Sequence, residues 1–231
     1  MTDDEAQHAL HEGHCRTVTD ATDQLIDSLS SNVAPVRRLR PPLLRAGLWL
    51  STVALVGGLI VARFANLHIV MERARQPVFD VALVGALTTG CLAVIVAFYL
   101  SLPDRRLRWA LLPMPSFIVW WVASGAGCYR DWSEYRDGAW QIGESGHCFM
   151  FILGVGVPLS LALLLALRRA RPIAPQRVIV VGALGAASLA AFLLQFFHPF
   201  DLTLMDLAIH AVGVAVVVTL MASRLARNMI R

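Results

Sequence analysis

Residues 178–197 read VIVVGALGAASLAAFLLQFF and residues 148–167 read CFMFILGVGVPLSLALLLAL; neither stretch holds a charged residue. A helix of that length in a soluble protein keeps a polar face, and about 20 apolar residues match the hydrocarbon core of a bilayer. Working outward, four more stretches of the same kind occupy 43–62, 78–100, 107–127 and 202–222. They predict an all-α, polytopic membrane protein with six transmembrane helices over 43–231, preceded by a polar head over 1–42. With 231 residues, 57% hydrophobic and 16% charged, the chain has no room for a second globular domain after the head.

All 20 basic residues are arginine, and they stand in small groups at the borders of the apolar stretches. Arginines 37, 38, 40 and 45 precede the first stretch, and 105, 106 and 108 follow the second. Arginines 168, 169, 171 and 177 follow the fourth, and 224, 227 and 231 follow the sixth. The other borders hold only 63, 73, 75, 130 and 136. The positive-inside rule then places both termini in the cytoplasm. Arginines at membrane edges, not on one open face, argue against direct nucleic-acid binding. Arg45 and Arg63 fall at the two ends of the first span, where long side chains snorkel.

The head opens on Asp3, Asp4, Glu5, His8, His11 and His14, reads as disordered over 1–18, and lacks the basic start and apolar core of a signal peptide. From Thr19 the pattern changes. Thr19 or Asp20 caps a short helix on which Leu25, Ile26, Leu29 and Val33 recur at amphipathic spacing, and Pro35 ends it. A helix of about 15 residues is marginal alone in water, so the apolar stripe is expected to lie on a partner. Val36 to Pro42 forms a stiff basic approach to the membrane.

A polar cluster gathers at the opposite face. Cys128 ends the third span, His147 and Cys148 open the fourth, and His198 lies in the short turn between the fifth and sixth. Asp206 and His210, four apart, share one face of the sixth. Cys128 and Cys148 admit four readings: a structural disulfide, a redox-responsive pair, a metal site with His147 and His198, or inert small residues. No C-x-x-C spacing favours the metal, so the expected cofactor is none, save a transient ion at the outer face. His11, His14 and Cys15 form a second, scattered ligand set. Asp206 and His210 read either as an internal packing pair or as proton-carrying groups. Mid-span Cys91 reads as a small apolar filler.

There is no glycine-rich phosphate loop, serine elbow or metalloprotease histidine pair, so no enzyme is predicted. An ion-coupled transporter built on Asp206 and His210, or a docking subunit of a membrane complex, stands as the alternative to a regulator. A carrier would show an inverted repeat, and the two halves show no matching pattern.

Several motifs together resemble the NrsF family of proteobacterial membrane anti-sigma factors. They are Thr22 to Leu29, Pro35 to Pro42, Arg108 to Pro113, Gly127 to Trp132, His147 to Ile152, and Phe197 to Asp201, and the resemblance covers about 19–231. It implies a six-span inner-membrane protein that holds an extracytoplasmic-function sigma factor inactive through its cytoplasmic N-terminus. It also implies a stress-sensing role, to oxidant or heavy metal, for Cys128 and Cys148, with His147 and His198 beside them. Residues 1–18 go beyond the family pattern.

Overall fold

The computed structural model describes residues 21–31, 39–102, 106–134, 142–170, 172 and 174–197; within its helices the side chains of 69, 127, 128, 130–134, 142–149 and 152 lie outside that description. The chain divides into two units, Met1–Leu39 and Arg40–Arg231.

In the first unit, residues 21–31 are helical and every one of them is exposed. This corrects the expected head: no amphipathic element with a buried apolar face stands there, and residues 20 and 32–34 lie outside the described residues. Ser28, Ser30 and Ser31 each donate a side-chain hydrogen bond to the carbonyl three residues earlier, at 3.0–3.1 Å. Such local bonds compete with the helical ladder.

The second unit is built of helices α1 (Pro42–Phe64), α2 (Leu67–Arg73), α3 (Pro77–Leu100), a 3-10 turn (Leu107–Leu111), α4 (Met114–Glu134), α5 (Ile142–Arg168) and α6 (Pro175–Leu194). Helices α1, α3 and α6 begin on a proline, whose fixed φ suits the first helical position and whose missing N–H leaves no bond unmade. The third apolar stretch does not run as one helix. Its start is the 3-10 turn, and Pro113 and Pro115 delay the α-helix to Met114, which then extends past the apolar run to Glu134.

Among the described residues, four helical stretches are long and apolar enough to cross a membrane: Pro42–Phe64, Pro77–Leu100, Leu107–Ala126 and Pro175–Leu194. Among the described residues there are thus four candidate spans where six were expected for the chain. The fourth apolar stretch, 148–167, lies within the 27-residue helix α5, whose fully described apolar part is Leu153–Arg168. The N-terminal end of α5 is polar, with Glu144, Ser145 and His147. The sixth stretch, 202–222, lies outside the described residues.

Helix α3 is the hub. It packs against α1, α4 and α6, and α5 packs against α6. The close approaches are made at glycines. A Cβ on Gly185 would meet Val94 N at 3.0 Å and Gly90 O at 3.2 Å, and one on Gly90 would meet Leu189 Cγ at 2.7 Å and Gly185 O at 3.3 Å. Main chain thus touches main chain where α3 crosses α6. A Cβ on Gly85 would stand 2.9 Å from Trp120 Cβ and 3.0 Å from its Cα, so the main chain of α4 at Trp120 lies against bare α3 backbone. Hydroxyls add to that contact: Thr89 Oγ1, fully buried, donates to Gly85 O at 2.7 Å and lies 3.0 Å from Ser116 Oγ on α4. Polar ties of this kind contribute about 0.6 kcal/mol in a membrane.

Helix α1 is peripheral: 11% of its apolar window is buried, against 72% for α6. The stripe it turns inward is Ala46, Trp49, Leu50, Val53 and Gly57, at helical spacing. Short α2 was not foreseen. Asn66 Oδ1 caps it by accepting from His68 N at 3.2 Å, and His68 pairs with Glu72 at 3.8 Å one turn on.

Gly185→Ala is expected to destabilise the bundle by about 1–3 kcal/mol, because the methyl group meets backbone that cannot step aside. Gly47→Ala, where a Cβ meets nothing within 4 Å, is expected to be neutral or slightly stabilising. Thermal unfolding of the two purified variants in detergent checks this, and an unchanged Tm for Gly185→Ala would refute the close crossing.

Candidate functional site

Two separate sets of residues bear on function. In the first unit, Leu25, Ile26 and Leu29 are 57%, 55% and 61% exposed. Their spacing puts them on one side of the helical stretch, beside Asp23 and Asp27. Large aliphatic side chains left this open in water are the usual mark of an interaction surface. Val33 lies outside the described residues.

The second set comprises the cysteines and histidines. Cys128 lies within α4, not at its end, and His147 and Cys148 lie within α5, not at its start. The chain between the two cysteines is therefore largely helical, and only residues 135–141 separate the two helices. The side chains of Cys128, His147 and Cys148, and the whole of His198, Asp206 and His210, lie outside the described residues. The structure accordingly neither joins these groups nor parts them. Thiols and imidazoles as a donor set suit soft and borderline ions. Among the described residues, no group of three His, Cys, Asp or Glu side chains could hold a metal ion. Cys91 is a free thiol packed against the α3 core, as expected of a filler.

Buried hydroxyls also stand on the two helices that carry Cys128 and Cys148. Ser124, one turn before Cys128 on α4, is 6% exposed, and Ser160 on α5 is 2% exposed. Neither hydroxyl has a hydrogen-bond partner among the described residues. On α5, Pro158 interrupts the ladder, and Gly154 stands where a Cβ would meet nothing within 4 Å. The helix is weakest there, between the end that bears Cys148 and the end at Arg168.

At that second end lies a junction the sequence did not reveal. Arg45, in the first turn of α1, does not snorkel to water. Its Nη2 donates to the carbonyl of Ala166 at 2.7 Å, and its guanidinium carbon sits 5.1 Å from the centre of the Phe98 ring on α3. Ala166 is in the last turn of α5, where carbonyls have no partner within the helix and the helix dipole favours a cation. One side chain thereby joins the start of α1 to the ends of α3 and α5. The available signal was a cation in a helix's first turn, where its own helix dipole disfavours it.

Neither a curated protein nor a solved structure matches the chain. The family described as Negative regulator of sigma F matches it over residues 29–231, so Leu29 and Val33 fall inside the matched part and Leu25 and Ile26 just before it. Taken with the membrane-length apolar helices, a match over nearly the whole length means that this chain belongs to the NrsF family, whose members are regulators and not enzymes.

Proposed function

We propose that the chain is a membrane-tethered anti-sigma factor that sequesters an extracytoplasmic-function sigma factor through residues 1–42 and releases it under periplasmic stress. The observation that carries this reading is the open patch of Leu25, Ile26 and Leu29 on an otherwise polar head. Burying each such side chain in a groove of the sigma factor would supply roughly 1.5–3 kcal/mol before ordering costs. Val33 continues the stripe. Asp20, Asp23 and Asp27 would meet the basic surface of a DNA-binding partner, which favours encounter and register more than raw affinity. The bilayer is the other partner: both termini are assigned to the cytoplasmic side of a bacterial inner membrane by the excess of arginines there.

The trigger is assigned to Cys128 and Cys148. Two-electron oxidation would join them as a disulfide, with both thiol protons and the electron pair passing to the oxidant. A soft metal ion captured by the same thiols, with His147 and His198, would likewise draw α4 and α5 together. Asp206 and His210 are assigned as a polar pair within the membrane-embedded part.

Leu29→Asp in the full-length protein is expected to weaken sigma binding by about 2 kcal/mol, roughly thirtyfold, and to turn the sigma-dependent regulon on without stress. Normal repression by that variant would sink the docking model. A fragment of residues 1–42 is expected to capture the sigma factor in a pull-down. The double variant Cys128→Ser with Cys148→Ser is expected to repress normally and to lose its response to hydrogen peroxide and to cadmium ion. A reporter that still responds in that background would remove the sensing role and leave the tethering role standing.

A further inference from the structure

The geometry points to Arg45 as the positioning residue that couples α5 to the sigma-binding segment, a latch whose opening is the last step of signal transfer. This inference rests on the anti-sigma reading above and adds to it the residue through which the signal passes. Three observations carry it. The first is connectivity: Pro41 and Pro42 lead directly into α1, and the backbone N–H of Arg45 bonds Pro41 O at 3.2 Å. Arg45 is thus fixed to the base of the head by a stiff, proline-bearing turn with little slack. The second is chemistry: the 2.7 Å bond to Ala166 O is charge-assisted, and the guanidinium stands over the fully buried Phe98 ring, 5.1 Å from its centre. A guanidinium suits the pair, since its flat face can lie on the ring while one N–H reaches the carbonyl, which a compact ammonium does less well.

The third observation is mechanical. Helix α1 is the least embedded of the apolar helices, so its start can shift without repacking the glycine crossing of α3 and α6. Helix α5 carries Cys148 in its second turn and Ala166 in its last, with Pro158 and Gly154 between them. A pull on its outer end would turn its inner end about that weak point and take the Ala166 carbonyl out of reach of Arg45. Hydrogen bonds weaken steeply with misalignment, so a displacement of about one ångström is enough to open the latch. The start of α1 would then be held only by its narrow apolar stripe on α3, and the grip of the head on the sigma factor would loosen.

The test uses the full-length chain in its native membrane, with a sigma-dependent reporter read before and after hydrogen peroxide or cadmium ion. Arg45→Ala is expected to raise the unstressed reporter roughly five- to tenfold and to bring the stressed-to-unstressed ratio close to one, at an unchanged membrane level. Arg45→Lys, which keeps the charge, is expected to move both readings in the same direction by less. It decides the matter if Arg45→Ala does not accumulate. Nitroxide labels replacing Leu44 and Leu165, both about half exposed, report the junction directly in reconstituted protein freed of its 4 native cysteines. A narrow distance distribution in the parent and a broad one in Arg45→Ala are expected. The proposal is overturned by an unaltered distribution, by parental reporter readings at normal membrane level, or by a reduced membrane level whose remaining protein keeps the parental ratio. Should the parent fail to repress any sigma factor, the anti-sigma reading falls, and the distance measurement still decides whether the latch exists.

Discussion

The bundle depends on the contact of bare backbone between Gly90 on α3 and Gly185 on α6. In lipid, helices gain nothing by hiding apolar side chains from one another, since the acyl chains are equally apolar. What holds them is close packing and the polar ties that close packing permits. Removing the Cβ at both sides of one crossing lets the two axes approach until dispersion is summed over main-chain atoms as well as side chains. The neighbours follow from it. Val94 and Leu189 fill the flanks of the crossing, Gly182 admits Leu163 and Leu167 of α5, and Gly85 admits Trp120 of α4. A single close pair therefore sets the spacing on which α4 and α5 are stacked.

Much of this was legible because apolar runs and prolines speak locally. The starts of α1, α3 and α6 fall on Pro42, Pro77 and Pro175, within a few residues of where hydropathy alone places them. The places that went unread are those where the helix outlasts the apolar run or fails to fill it. Tyr129 to Glu134 continue α4 with polar residues, which leave no mark on hydropathy, so both cysteines were expected at helix borders and are found inside helices. Pro113 and Pro115 split an apolar run that composition treats as continuous. Helix α2 is too short for periodicity to detect, although the Asn66 cap and the His68–Glu72 spacing were present to be read.

The functional residues divide the same way. Leu25, Ile26 and Leu29 declare themselves by spacing, and their exposure agrees with it. Gly185 stood in a stripe of small residues of which any member might have met a neighbour, and only the crossing selects it. Arg45 was read as a border residue because a hydropathy scale sees its charge and not the open carbonyl of Ala166, more than a hundred positions away in sequence. Long-range partners of a single polar atom leave no local trace.

The slight embedding of α1 has one more consequence. Its 23 residues extend about 35 Å at 1.5 Å per residue, longer than a hydrocarbon core of about 30 Å. A helix clamped by many neighbours would hold its tilt and make the lipid deform. One held along a narrow stripe instead leans to suit the bilayer, at a cost of fractions of a kcal/mol per ångström of mismatch. Acyl-chain length, temperature and lipid order thereby set the resting angle of the helix that leads into the head.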